Sequence, residues 1–100
     1  MFQQLSNSQQ RYLRGLSHGL KPVIMIGGKG LTEAVLAELD LALEHHELVK
    51  VKIAAEDREA RDEIVAELVM RSKTNLVQRI GNIATLFRRS KERPQISLPR

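Results

Sequence analysis

The sequence predicts an α/β domain in which helices and strands alternate in the order α-β-α-β-α-β-β. Apolar residues recur at helical spacing in three segments, short β-branched runs follow each of these segments, and a Gly-Asn pair joins the last two runs. Strands joined by helices are normally parallel, and strands joined by a two-residue turn are antiparallel. We therefore expect a four-stranded mixed sheet packed with helices.

The first helix is predicted over about residues 7–19, with Ser6 or Asn7 as its N-cap. The run Pro22–Ile26, "PVIMI", follows it. Because this run is apolar and rich in β-branched residues, it predicts a short, fully buried strand. The apolar stripe of the first helix consists of Leu13, Leu16 and Leu20.

A second helix begins after three closely spaced glycines, and Thr32 is a suitable N-cap for it. Its apolar stripe consists of Val35, Leu36, Leu39 and Leu43. The next segment, "LVKVKIA", alternates apolar residues with Lys50 and Lys52. This alternation predicts a half-exposed strand with both lysines on one face.

A third helix is predicted from about Asp57 to about Lys73. "NLVQRI" and "IATLFRR" then form two strands around Gly81-Asn82, a pair suited to a two-residue hairpin turn. We expect one domain over residues 1–90. Residues 91–100 contain two prolines and little to bury, so they are expected to form a mobile basic tail.

Composition limits the class of protein. One hundred residues correspond to one domain, and the absence of cysteine excludes disulfides and thiolate chemistry. The first residues lack the pattern of a signal peptide, and the apolar runs are too short to cross a bilayer. We expect a cytoplasmic protein that acts as a monomer, without membrane contact.

Charge is distributed unevenly along the chain. Residues 1–30 contain four basic residues and no acidic ones, residues 31–70 contain four basic and eleven acidic ones, and residues 71–100 contain eight basic residues and one acidic residue. A chain with basic ends and an acidic middle is expected to fold into a molecule with two differently charged sides. The basic side favours a polyanionic partner.

The glycine-rich turn between the first strand and the second helix is the strongest candidate site. Glycines allow backbone N–H groups to come close to an anion, and the helix that follows presents its positive dipole end there. The spacing does not fit a P-loop or a dinucleotide-binding motif, so a G-x-x-G turn of the kind that clamps nucleic-acid backbones remains. A purely structural turn is the alternative. The candidate residues are Gly27, Gly28, Lys29, Gly30 and Thr32.

Basic residues on both sides of this turn in the sequence are candidate phosphate contacts. They are Arg14, His18 and Lys21 before the turn, and Arg79, Arg88, Arg89, Lys91 and Arg93 in the final hairpin and its exit. Lys50 and Lys52 are weaker candidates. Neutralising Lys29 or Arg88 is expected to weaken RNA binding and to reduce its salt dependence.

Other kinds of site are disfavoured by the sequence. The run His45-His46-Glu47 lacks the spacing of a metal site, because adjacent helical side chains diverge, and it is interpreted as a solvated helix end. We expect neither metal nor cofactor. Only three aromatic residues are present, so the stacking surface of an RRM is absent. RNA binding through backbone and shape, and hence structured RNA, is favoured.

Two stretches resemble a known family. "LRGLSHGLKPVIMIGGKGLTEAVLAELDLAL" and "VQRIGNIATLFRRS" resemble the CRM domain, specifically the small stand-alone bacterial proteins of the YhbY type, over roughly residues 5–90. The resemblance implies an RNA-binding fold similar to the C-terminal domain of translation initiation factor three. It also implies association with ribosomal RNA in precursors of the large (50S) subunit. Many family members carry lysine directly after the first glycine, whereas here Gly28 occupies that position and Lys29 follows.

The predicted function is therefore that of a non-enzymatic RNA-binding protein in large-subunit assembly. The alternative is an adaptor domain that binds an acidic protein through its basic face. An enzyme is disfavoured, because the sequence shows no paired acid and base, nucleophile triad or metal cluster.

Overall fold

The computed structural model describes residues 4–100, so the first three residues of the predicted domain lie outside the described part. The elements of the described part follow the predicted order, and the predicted α/β class is confirmed. They are α1 (Asn7–Ser17), β1 (Ile24–Ile26), α2 (Glu33–His46), β2 (Leu48–Ile53), α3 (Arg58–Ser72), β3 (Asn75–Ile80) and β4 (Ile83–Phe87).

Side chains cap the start of each helix. Ser6 accepts a hydrogen bond from the Gln9 N–H at 3.2 Å, and the Gln9 side chain accepts one from the Ser6 N–H at 3.0 Å, which forms a capping box. Thr32 and Asp57 cap α2 and α3 in the predicted positions. The first helix ends at Ser17, two residues earlier than expected.

The four strands form one mixed sheet in the order β1-β2-β4-β3. β1 is parallel to β2, and β4 is antiparallel to both of its neighbours. Helices α2 and α3 cover one face, where they enclose the larger core around Leu39, Leu43 and Leu68. Helix α1 lies on the other face, where Leu13 packs with Leu48 and Phe87.

Strand β1 is not fully buried, contrary to the expectation. Ile24 and Ile26 point into the core beneath α2 and α3, but Met25 is 61% exposed and Val23 is 56% exposed. β1 is an edge strand, and neither Met25 nor Val23 belongs to the small core under α1. Leu16 and Leu20, predicted as part of the apolar stripe of the first helix, are not core residues either, since both remain at least 40% exposed.

The C-terminal segment packs on the domain, which differs from the expected mobile tail. Ile96 and Leu98 pack against the small core beneath α1, and the Gln9 side chain donates to the Pro99 carbonyl at 2.9 Å. The backbone N–H groups of Gln95 and Ile96 both donate to a carboxylate oxygen of Glu47 at 2.8 Å. The sequence argument gave too little weight to Ile96 and Leu98, two apolar side chains that stand among prolines and charged residues. The predicted domain boundary at residue 90 stays a prediction.

Candidate nucleic-acid interface

The glycine-rich loop forms a tight turn between β1 and α2. The N–H of Gly30 donates to the carbonyl of Gly27 at 3.0 Å, which places Gly28 and Lys29 at the exposed tip. Gly30 has a φ of 74°, in the left-handed region that side chains disfavour. The turn therefore requires glycine at its last position.

The other two glycines of the loop are not required by the fold. Neither Gly27 nor Gly28 has a φ in the left-handed region, and a Cβ atom built at either position meets no atom within 4 Å. Both residues are exposed. What glycine adds at these two positions is a bare backbone that a molecule outside the protein can approach.

The loop and the helix that follows it present several unpaired hydrogen-bond donors. Within residues 4–100, no acceptor is present for the N–H groups of Gly28, Lys29, Leu31, Glu33 and Ala34. The Val35 N–H, by contrast, is taken up by the Thr32 hydroxyl at 3.2 Å. Unpaired N–H groups at the positive end of a helix form a favourable place for an anion. The exposed Lys29 adds a mobile positive charge beside them.

The one acidic residue in the first turn of α2, Glu33, forms an ion pair with Arg71 of α3, which Arg71 shares with Glu67. Arg71 Nη2 lies 2.6 Å from a carboxylate oxygen of Glu33, and Arg71 Nη1 lies 3.3 Å from Glu67. These hydrogen bonds, that of Glu33 first, raise the pKa of Arg71. The pairing reduces the repulsion that Glu33 would exert on an anion at the loop.

The basic residues before the loop are spread along the α1 side of the sheet. Arg14 lies half-buried in the last turn of α1, and His18 caps that helix, exposed beside Lys50 of β2. Lys21 is exposed at the end of β1 opposite to the loop. The structure thus brings His18 toward the sheet but separates Lys21 from the loop by the length of a strand.

The C-terminal basic residues lie at the far end of the sheet from the loop. Ile26 pairs with Ile53 of β2, whereas Phe87 pairs with Leu48, five residues away along the same strand. At about 3.3 Å per residue, the loop after Ile26 and the segment after Phe87 are therefore at least about 17 Å apart along the strand direction. The predicted site residues do not form one continuous patch.

Two of the predicted arginines are engaged inside the protein. Arg88 Nη1 lies 2.7 Å from the Asp40 carboxylate and donates to the Ser72 carbonyl at 3.1 Å, and the Arg88 side chain is only 18% exposed. Arg79 forms an ion pair with Asp62 on α3. These contacts give Arg88 and Arg79 structural partners, whereas Arg89 and Lys91 expose their side chains without an ion pair among residues 4–100.

The charge segregation seen along the sequence becomes a segregation between layers. Helices α2 and α3 contain eight of the twelve acidic residues, whereas α1 and the four strands contain none. The acidic layer therefore lies on one face of the sheet. The opposite side combines α1, with its two arginines, and the sheet face that exposes Lys52.

Glu47 is a residue whose environment sequence reasoning missed. His45 and His46 are exposed as expected, but Glu47 is fully buried, so the prediction of a solvated helix end is wrong for it. Burial alone would raise the pKa of Glu47. The hydrogen bonds that its carboxylate accepts from backbone N–H groups hold this pKa below its ordinary value. The sequence feature that could have indicated its burial is the very short link between the second helix and the second strand. In the structure this link is the single residue Glu47, which adopts a φ of 62°.

Residues 4–100 contain neither a metal-site cluster nor a membrane-spanning helix. No group of three or more histidine or acidic side chains is placed to hold a metal ion. No helix of this part of the chain is long and apolar enough to span a membrane.

Comparison with known proteins identifies the family. The family model of the CRS1/YhbY (CRM) domain matches residues 5–88. The chain belongs to this family. The resemblance inferred from the sequence motifs is thereby confirmed, and the turn of residues 27–30 lies within the matched CRM domain.

Relatives of this CRM protein are named for RNA binding. An "RNA-binding protein" of Haemophilus influenzae is 52% identical over 96% of each chain. The Bacillus subtilis protein named "Probable RNA-binding protein YqeI" is 37% identical over 95% of this chain and 99% of its own length. The solution structure of a Staphylococcus aureus protein is similar with a TM-score of 0.81 and 35% identity, over 96% of this chain and all of that one.

Proposed function

We propose that this CRM protein binds RNA without catalysing a reaction, and that the loop of residues 27–30 holds the RNA backbone. The observation that carries the proposal is the pair Gly27 and Gly28, which neither the backbone conformation nor internal packing requires. Phosphate oxygens would accept hydrogen bonds from the unpaired N–H groups of the loop and of the first turn of α2. The exposed Lys29 would add salt-dependent affinity.

A second part of the proposed RNA surface lies on the α1 side of the sheet, apart from the loop. Arg14 and His18 on α1, together with Lys21, lie in the layer that has no acidic residues in its helix and strands. Arg89 and Lys91 are proposed as a separate phosphate contact at the far end of the sheet. Arg79 and Arg88 are assigned to their ion pairs with Asp62 and Asp40 instead.

The RNA is proposed to be ribosomal, in precursors of the large (50S) subunit. Support comes from the motif resemblance to YhbY-type proteins and from relatives named for RNA binding. The scarcity of aromatic side chains favours a structured RNA held mainly by its backbone. The protein would act as a monomer in the cytoplasm.

Sedimentation of cell extracts, before and after ribonuclease treatment, tests this proposal. The tagged protein is expected to migrate with large-subunit precursors and to move to the top of the gradient after the treatment. Lys29→Gln is expected to weaken the association, whereas Arg58→Gln, which removes one exposed positive charge on α3 beside the hairpin turn, serves as the matched control. An association that survives ribonuclease would overturn the proposal in favour of an adaptor that binds an acidic protein.

A further inference from the structure

One row of side chains crosses the whole sheet on the face that α1 leaves open. Met25 of β1 pairs with Lys52 of β2, Lys52 pairs with Ile83 of β4, and Ile83 pairs with Ile80 of β3. Paired residues point to the same face of a sheet. Because the neighbours Ile24, Ile26, Val51, Ile53 and Ala84 point into the core beneath α2 and α3, this row points to the opposite side.

The row is exposed and apolar at both ends. Met25 is 61% exposed and Ile80 is 65% exposed, which places them among the most exposed large apolar side chains of the described residues. Lys52, between them, is exposed and forms no ion pair within residues 4–100. Helix α1 packs near the other end of the strands, against Leu48 and Phe87. Only its C-terminal end, at Ser17 and His18, approaches Ile80 and Ile83, and it leaves Met25 and Ile80 exposed.

The row adjoins the glycine-rich loop. Met25 precedes Gly27 by two residues, and Ile80 and Ile83 flank the hairpin turn at the same end of the sheet, where the Ile53 N–H donates to the Asn82 carbonyl at 2.8 Å. A molecule whose backbone is held at Gly27 and Gly28 would therefore have its next groups beside this row.

We infer that the row Met25–Lys52–Ile83–Ile80 contacts the bases of unpaired nucleotides in the RNA whose backbone the loop holds. This inference rests on the proposed function. Three strand spacings make the row about 14 Å long. An RRM sheet of comparable width holds two or three bases by aromatic stacking, whereas in this row aliphatic side chains would supply the apolar contact. The faces of unpaired bases are apolar and can pack against Met25 and Ile80. The outside of a duplex presents charged phosphates, which would make no apolar contact with these two side chains.

Charge favours RNA over a protein as the occupant. Lys52 lies in the middle of the row, Lys50 lies in the next row on the same face, and no strand contributes an acidic residue. An apolar protein segment would have to desolvate Lys52 without a partner on the sheet, whereas an RNA strand supplies phosphates beside its bases. Contact with base faces is tolerant of sequence, because every base has an apolar face.

A double variant tests the inference by fluorescence anisotropy with two RNA probes, an unpaired uridine-rich strand and a blunt duplex of equal length. Met25→Gln with Ile80→Gln is expected to weaken binding of the unpaired strand several-fold, because the apolar contact of two side chains with the bases is lost. Binding of the duplex and the slope of affinity against salt are expected to stay unchanged, because no charge is removed. Leu41→Gln with Met70→Gln, equally exposed on the acidic layer, is the matched control.

The outcomes separate this inference from the proposed function. If the double variant binds both probes like its control while Lys29→Gln weakens both, the loop holds RNA and the inference about the row is wrong. If the double variant keeps its RNA affinity but loses a protein partner, the row is a protein contact and the inference is again wrong. If the unaltered protein binds neither probe, the proposed function itself fails.

Discussion

The N–H of Gly30 donates to the carbonyl of Gly27 at 3.0 Å, and this hydrogen bond closes the turn between β1 and α2. The bond uses the left-handed conformation of Gly30 and leaves Gly28 and Lys29 at the tip without backbone partners in residues 4–100. The turn is thus fixed at its ends and open at its tip. This division of roles among the glycines leads to predictions that separate stability from binding.

Substitution of Gly30 is expected to affect stability, whereas substitution of Gly28 is expected to affect binding. Gly30→Ala forces a side chain into the left-handed region and should lower the free energy of unfolding by about 1–2 kcal/mol. Gly28→Val places a side chain in open space at the tip, so it should leave stability nearly unchanged and weaken RNA binding several-fold. Urea unfolding and RNA titration of both variants measure the two effects. Equal RNA affinity of Gly28→Val and the unaltered protein would contradict the proposed backbone contact.

Neutralisation of Lys29 is expected to change the salt dependence of RNA binding. Each phosphate contact made by a basic side chain contributes about one unit to the slope of log affinity against log salt. Lys29→Gln should therefore reduce this slope by about one and weaken binding at low salt, while the stability of the fold stays the same because the side chain is exposed. Titrations at several salt concentrations, with Arg58→Gln on α3 as the control, measure this. An unchanged slope would remove Lys29 from the site.

Arg88 and Arg89 are adjacent in sequence but are expected to behave differently. Arg88 bridges Asp40 of α2 and the Ser72 carbonyl at the end of α3, and its side chain is largely buried. Arg88→Ala should lower the free energy of unfolding by roughly 1–3 kcal/mol, because it removes a largely buried side chain and leaves the part-buried Ser72 carbonyl without this donor. Arg89→Ala removes an exposed side chain and should leave stability within about 0.5 kcal/mol of the original value. Equal unfolding midpoints for the two variants would refute the structural assignment of Arg88.

Acid is expected to release the C-terminal segment from Glu47. The folded-state pKa of Glu47 lies below its ordinary value, because N–H groups of Ser90, Gln95 and Ile96 outweigh the effect of burial. The carboxylate therefore contributes its full stabilisation above the ordinary pKa of a glutamate, and this contribution is lost as the pH falls through the lowered value. Amide hydrogen exchange at Gln95 and Ile96 should accelerate over that acidic range beyond the intrinsic change.

The Glu47→Gln variant checks the same contact at neutral pH. It removes the negative charge and turns one of the two accepting oxygens into a donor, so exchange at Gln95 and Ile96 should accelerate without acid. Glu44→Gln, which alters a carboxylate that accepts from the Ser90 hydroxyl at 3.0 Å, serves as the control. Protection that is unaffected by Glu47→Gln would show that the apolar side chains alone hold the segment.

Local features of the fold could be predicted from the sequence, because they depend on neighbouring residues. Thr32 caps α2 as expected, α3 begins directly after Asp57, where the third helix is predicted to start, and Gly81-Asn82 forms the expected hairpin turn. Each of these assignments rests on chemistry within a few positions of the chain, such as a side-chain oxygen three residues before an unpaired N–H.

Tertiary features could not be predicted in the same way. The apolar run at β1 suggests burial on both faces, but which strand lies at the edge, and how far α1 reaches over it, depends on the packing of distant elements. Nothing in the sequence around Arg88 distinguishes it from an exposed, unpaired cation. Its partners Asp40 and Ser72 are distant in the chain and reach Arg88 only through the packing of α2 and α3. The row from Met25 to Ile80 likewise exists only in the register of four strands.

Ultraviolet crosslinking in cells, with sequencing of the attached RNA and mass spectrometry of the crosslinked peptides, tests the central claim most directly. The proposed function predicts crosslinked RNA concentrated in large-subunit ribosomal sequences and crosslinked peptides that contain residues 27–32. Crosslinks scattered over unrelated RNAs, or confined on the protein to residues 88–93 at the far end of the sheet, would contradict the claim that the glycine-rich loop holds the RNA.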